Sequence, residues 1–401
     1  MRLLMDLAPL RHREFARVWG AGAVTAVGAQ LTAVSIPVRI YALTGSSAQV
    51  GLAALVGFGP MAVAALWGGA VADAVDRRRM LLVTNGGIGA VSVLLWLQSC
   101  LLPGSVPALL ALVAVQQALF GANAAASGAV TPRLVPAAVL PAANALQSTA
   151  SWSAGIAGPL LAGLLLPVAG VRTLYLADAA ALCATLWAVR KLPPLPPTQR
   201  RRVRRVGLRQ IAEGFRAVAG NGVLRVAYLA DFAALFLGLP HALLPQLARE
   251  TYGPGTLGPL YAALPIGGVL AGLCSGTFTR ARRPGAALAA AVCLWGAAIA
   301  GFGLTRSPAP ALALLALAGG ALVALGVFRK TLLQTAATDD LRGRLQGADT
   351  VIAAGGPRLA GFAHGAAAAV VGTGGAVTGG GLLTIGAMAA LYLTNRRFRR
   401  A

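Results

Sequence analysis

Arginine is clustered in this chain, and the clusters fall at every second break between long apolar stretches. They are Arg11/Arg13/Arg17, Arg77–Arg79, Arg133, the run from Arg190 to Arg209, Arg280/Arg282/Arg283, Arg329–Lys330 with Arg342/Arg344, and Arg396–Arg400. The intervening breaks hold single residues, Arg39, Arg172, Arg249 and Arg306. Loops kept in the cytoplasm retain Lys and Arg, because carrying them across a membrane is disfavoured. The alternation therefore predicts an even number of membrane spans with both termini cytoplasmic.

Composition bears on the same point. The chain is 57% hydrophobic and 11% charged, where a soluble domain carries roughly 25% charged residues. The net charge of +23 is confined to short loops and tails. It is read as topological, meeting anionic lipid at the cytoplasmic face rather than nucleic acid, for which no binding motif is present.

A helix needs about 20 apolar residues to cross the hydrocarbon layer. On that measure twelve spans are expected near 15–42, 47–72, 80–102, 107–129, 138–168, 172–190, 222–248, 257–280, 285–305, 309–332, 347–371 and 375–395. The first is read as uncleaved, since Asp6, Pro9 and Arg11 interrupt the opening apolar run. The fold class expected is an all-α membrane protein of two six-helix halves, 1–190 and 222–401. A cytoplasmic linker, 191–221, separates them. Within it, Leu208, Ile211, Phe215 and Val218 share one face of an amphipathic interfacial helix.

The halves carry a faint repeat. Residues 69–79 (GAVADAVDRRR) correspond to 275–285 (SGTFTRARRPG), and 131–136 (TPRLVP) to 338–344 (TDDLRGR). Parallel six-span repeats of this kind occur in transporters with a midplane site.

Gly69, Asp73, Arg77 and Arg78 resemble the signature loop between spans 2 and 3 of the major facilitator superfamily, with Ala74 and Asp76 departing from the pattern. Residues 36–51 (IPVRIYALTGSSAQVG), 257–267 (LGPLYAALPIG) and 283–285 (RPG) are similar to the branch containing enterobactin and macrolide-type drug exporters. The resemblance implies a gating latch. In it Asp73 faces the first turn of span 11 near Gly347, where a helix dipole favours an acid. Arg77 and Arg78 lie beside it, and Arg133 is its ion-pair partner. In span 5, Gly155, Gly158, Pro159 and Gly163 resemble the superfamily's exporter-type glycine-proline motif, with Ala162 in place of one glycine. A small-residue packing face explains the same residues.

Polar residues within spans mark where a cavity could lie. Gln116, Asn123 and Ser127 share a face of span 4, and Asn144, Gln147, Ser148 and Ser151 cluster on span 5. Ionisable residues deep in spans are Asp178, Asp231 and Arg358. Tyr175 and Tyr228 stand three residues before the two acids, so that each phenol can lie beside its carboxyl. Asp231, near the middle of span 7, is the first candidate for proton coupling and Asp178 the second. The alternative is a permanent Asp231–Arg358 pair. Tyr228 is a candidate for the cavity wall.

Cys100, Cys183, Cys274 and Cys293 form no CxxC pair. Lys191 and Lys330 stand in no phosphate-binding loop, and no metal or hydrolase motif is present. Neither a cofactor, a metal nor a catalytic residue is expected. The reading is a monomeric secondary transporter of the cytoplasmic membrane, exporting small amphipathic organic molecules in exchange for protons. The alternatives are a uniporter or importer of the same fold, or a polytopic lipid-modifying enzyme.

Overall fold

The computed structural model describes residues 6–128, 130–196, 216, 218–274, 283–336 and 339–400, and among these every regular element is helical. Four helices open the chain: α1 (Arg13–Thr44), α2 (Ser47–Ala74), α3 (Arg77–Leu101) and α4 (Val106–Ser127). The helix Leu140–Arg190 is broken at Gly170 (φ 68°, ψ 172°) into α5 (140–169) and α6 (171–190). Then come α7 (Gly222–Gly238), α8 (Leu257–Leu273), α9 (Pro284–Leu304) and α10 (Pro308–Ala336). The helix Asp339–Thr394 is broken in the same way at Gly372 (φ 77°, ψ 161°), giving α11 (339–371) and α12 (373–394).

Both breaks need a backbone conformation that only glycine adopts without strain. They divide two long helices into four spans. Nine helices among the described residues are long and apolar enough to cross a membrane, two of them broken by these glycines, and α8 is a shorter apolar helix. The chain thus has twelve spans in two sets of six.

Helix starts follow local chemistry. Asp76 caps α3, Ser105 caps α4 and Asn221 caps α7, each accepting from backbone N–H groups of the first turn. The boundaries differ from the sequence expectation at two places. Regular helix in α7 stops at Gly238, because Pro240 and Pro245 supply no N–H, and the chain continues through 3-10 and π turns to Tyr252. Helix α11 begins at Asp339 rather than near 347, ahead of the apolar run, since a polar first turn disfavours lipid but not helix. Of the expected interfacial helix at 208–218 all but 216 and 218 lies outside the described residues, as does 275–282 of the repeat partner 275–285.

The chain forms two compact units, Met1–Leu43 with Val56–Arg205, and Thr44–Leu55 with Val206–Ala401. In the first, α3 packs against α4 and against the Leu140–Arg190 helix. A core at its arginine-bearing end joins Phe15, Met80, Leu81, Leu134, Leu146 and Val189 with Leu192 and Leu195. In the second, α9 packs on α10 and on the Asp339–Thr394 helix, and α8 packs on α10. Between α8 and α10 the backbones nearly touch: a Cβ at Gly267 would meet the Ala316 carbonyl, and one at Gly319 the Leu264 carbonyl. Helices in lipid associate through such close packing rather than through exclusion of water.

A polar cavity in the first six helices as the candidate functional site

A cavity of about 360 Å³ lies inside the first unit. Thr25 comes to its wall from α1, Asn85 from α3, Asn123 and Ser127 from α4, Gln147 and Ser151 from α5, and Asp178 and Thr185 from α6. Trp19, Ile88, Phe120, Leu182 and Val189 supply apolar wall.

Asp178 is 1% exposed. Its Oδ2 accepts from the Thr32 and Ser92 hydroxyls, both at 2.8 Å. Its Oδ1 is buried and takes no hydrogen bond. Gly28 makes room for this arrangement: a Cβ there would stand 3.0 Å from Asp178 Oδ1 and 2.8 Å from Ala181 Cβ. No ion pair to Asp178 is formed among the described residues. A carboxyl at membrane depth with only neutral partners is costly to keep, which marks it as a functional position.

The other polar groups of the wall form short internal chains. Thr25 Oγ1 donates to the Ala181 carbonyl (3.0 Å) and lies 2.7 Å from Thr185 Oγ1. Asn85 Nδ2 donates to Leu81 O (2.8 Å), Asn123 Nδ2 to Thr84 Oγ1 (2.8 Å) and Gln147 Nε2 to Thr131 Oγ1 (3.1 Å). Ser127 Oγ donates to Asn123 Oδ1 at 2.9 Å.

Of the sequence candidates, the cavity gathers Asn123, Ser127, Gln147, Ser151 and Asp178. Asn144 and Ser148 do not line it and are exposed. At about 100° per residue, Ala150, Gln147 and Ser151 occupy one side of the polar arc, and Asn144 and Ser148 turn beyond it. Gln116 shares the face of Asn123 but stands two turns away along α4, past the cavity; it is 1% exposed, and its Nε2 has no partner. The Tyr175 phenol does not reach its neighbouring carboxyl. Its hydroxyl is buried without a hydrogen bond among the described residues.

In the second unit, Asp231 is bound to Arg329, Oδ2 to Nη1 at 3.2 Å. The Arg329 guanidinium also lies over the Tyr228 ring, 5.7 Å from its centroid. Tyr228 is 2% exposed and not part of the cavity described. Arg358 is partly buried on α11. Gly158 and Pro159 are buried on α5, and Gly155 and Gly163 partly so. A Cβ at Gly158 would run into Gln30 of α1 and come within 3.3 Å of the Val27 carbonyl.

Gly69 and Asp73 lie in the closing turns of α2. The Asp73 side chain, and the surroundings of Gly69 and Gly347, lie outside the described set. Arg78 and Arg133 hold the segment after α6. Arg78 Nη2 donates to Arg190 O (2.8 Å), Arg133 Nη1 to Pro196 O (2.7 Å), and Arg77 N to Leu195 O (3.1 Å). Asp76 Oδ1 accepts from Arg78 N (2.7 Å) and from Leu195 N (3.3 Å). Residues 192–196 thereby form an extended strap, with Leu192 and Leu195 buried beneath it.

Sequence reasoning missed Thr25, Thr32, Asn85, Ser92, Thr131 and Thr185 as cavity partners, and Asp76 as a clasp. A signal was present: Thr25/Gly28/Thr32, Asn85/Ile88/Ser92 and Asp178/Leu182/Thr185 each run along one helical face at heptad spacing.

A polytopic bundle with a cavity inside one six-helix half is an architecture that membrane transporters share. The profile of a family described as transmembrane secretion effector matches residues 5–400. The enterobactin exporter EntS of Shigella boydii is 30% identical over 99% of this chain and 96% of its own length, and EntS of Escherichia coli O139:H28 matches equally. Among solved structures, the nucleoside transporter NupG superposes with TM-score 0.76 at 12% identity, covering 96% of this chain and 99% of its own. A bacterial homologue of the iron transporter ferroportin gives 0.71 at 13%, covering 97% and 99%. The chain belongs to the transmembrane secretion effector family of the major facilitator superfamily. It is a multi-pass inner-membrane transporter of small molecules and not an enzyme.

Proposed function

We propose that the chain exports small amphipathic organic molecules across the cytoplasmic membrane by proton antiport. The observation that carries this reading is the kinship to enterobactin exporters along 99% of the chain. A carboxyl held only by hydroxyls at the wall of a polar cavity supports the coupling. Siderophores, macrolide-type drugs and other natural products fall within this substrate class.

The two six-helix halves rock about a midplane site, as parallel-repeat transporters do. Gly69, Asp73, Arg77, Arg78 and Arg133 form the latch that closes the cytoplasmic side. Asp178 carries the proton in preference to Asp231, because a carboxylate already bound to a guanidinium must lose that pair before it takes a proton. Both termini face the cytoplasm, the arginines meet anionic lipid there, and the protein works as a monomer.

The test is uptake of enterobactin, a macrolide and ethidium into inside-out vesicles from cells with and without the protein. An acid interior should drive protein-dependent accumulation of at least one of them, and a proton ionophore should collapse it. Accumulation indifferent to the gradient would contradict antiport, and no transport of any of the three would contradict the substrate class.

A further inference from the structure

Several acceptors around the cavity remain open. Asn85, Asn123, Ser127 and Gln147 each spend a donor inward, on Leu81 O, Thr84 Oγ1, Asn123 Oδ1 and Thr131 Oγ1. Ser151 Oγ donates to Gln147 O at 3.0 Å, and Thr25 Oγ1 to Ala181 O. The amide oxygens of Asn85 and Gln147, in contrast, accept from no protein donor among the described residues. An ionised carboxylate is acceptor-only, and an amide oxygen that receives no bond keeps its lone pairs open. Open acceptors therefore stand on the wall at Asp178, Asn85 and Gln147, beside the second N–H that each side-chain amide keeps.

Charge points the same way. Among the described residues Asp178 is the sole ionisable one in the wall, and none of those lining it is Arg, Lys or His. A carboxylate or other anion entering this space would meet no cation among the described residues, and the like charge of Asp178 would repel it. A neutral or positively charged group bearing N–H or O–H finds oxygen partners and, where cationic, the attraction of that carboxyl. The apolar wall of Trp19, Ile88, Phe120 and Leu182 suits a ring or aliphatic body. Pockets of this size and mixture hold small organic ligands.

We propose that this cavity is a binding site selective for amphipathic molecules that present hydrogen-bond donors and are uncharged or cationic, with Asp178 setting the exclusion of anions. The assignment rests on the reading of the chain as a transporter of amphipathic molecules, and adds which chemical class it takes and where.

Equilibrium binding to the purified full-length protein in an uncharged detergent, with empty micelles subtracted, tests it independently of direction and coupling. Ethidium, a cation with two aromatic amines, and fluorescein, an anion of similar ring size, are followed by anisotropy at neutral pH. Ethidium should bind at least about tenfold more tightly than fluorescein, since the two carry opposite charges toward Asp178. Asp178→Asn should cut that preference by most of this factor. Gln147→Leu, which removes an acceptor without touching the carboxyl, should weaken ethidium severalfold and serves if Asp178→Asn does not fold.

Fluorescein binding as tight as ethidium, binding of neither probe, or an ethidium affinity unchanged by these substitutions would each overturn the proposal. Selective ethidium binding without gradient-driven movement in vesicles would instead sink the antiport reading and leave this site standing.

Discussion

Two buried carboxyls are stabilised in opposite ways. Asp231 has a guanidinium at 3.2 Å, itself stacked over Tyr228, whereas Asp178 has two hydroxyls and an oxygen with no donor. Breaking a buried ion pair by removing one partner typically costs about 3–5 kcal/mol, because the other charge is left uncompensated. Asp231→Asn should therefore lower folded yield and the thermal unfolding temperature, and Asp231→Asn with Arg329→Met should recover much of the loss. An unfolding temperature unaltered by Asp231→Asn would show that the pair is not structural. Both acids were legible as outliers in apolar runs, but their partners were not. Arg329 stands nearly a hundred residues from Asp231, and helical spacing relates only residues on one helix. The same limit applies to Thr32 and Ser92, ordinary letters in their own spans until α1, α3 and α6 converge.

At the scale of elements, the apolar runs predicted the spans well, because the thickness of lipid is a ruler that any sequence must meet. They could not predict the strap. Residues 191–196 (KLPPLP) read as linker, and prolines favour an extended backbone there. Only the fold places Leu195 beside Asp76 and Arg77. Asp76 departs from the superfamily pattern, yet it caps α3 and clasps Leu195 N at once. Loss of an N-cap costs about 0.5–2 kcal/mol. Asp76→Ala should thus destabilise modestly, and should also free the strap so that trypsin cuts faster after the exposed Lys191. A cleavage rate equal to that of the unaltered protein would mean that the clasp does not hold the strap. Polar arcs were partly legible for a related reason: angular position on a helix is readable, but the depth at which a cavity ends is not. Gln116 and Asn123 share a face and differ in that depth.

For the whole molecule, the arginine alternation is the feature with the longest reach, since it ties span count, pairing and orientation to one rule. In a variant lacking Cys100, Cys183, Cys274 and Cys293, single cysteines at Thr198 and Arg400 should resist impermeant thiol reagents in intact cells, and one at Gly253 should react. Labelling of Thr198 from outside would invert the assigned orientation. The two glycine breaks complete the count: without positive φ at Gly170 and Gly372 two pairs of spans would each be one straight rod. The central claim is that the chain moves its substrate by exchanging it for a proton carried on Asp178. The most direct measurement compares the unaltered protein with Asp178→Asn in inside-out vesicles, following uphill accumulation under an acid interior and, separately, exchange at saturating substrate with no gradient. The account predicts that Asp178→Asn keeps exchange and loses gradient-driven accumulation. Full gradient-driven accumulation by Asp178→Asn would contradict it.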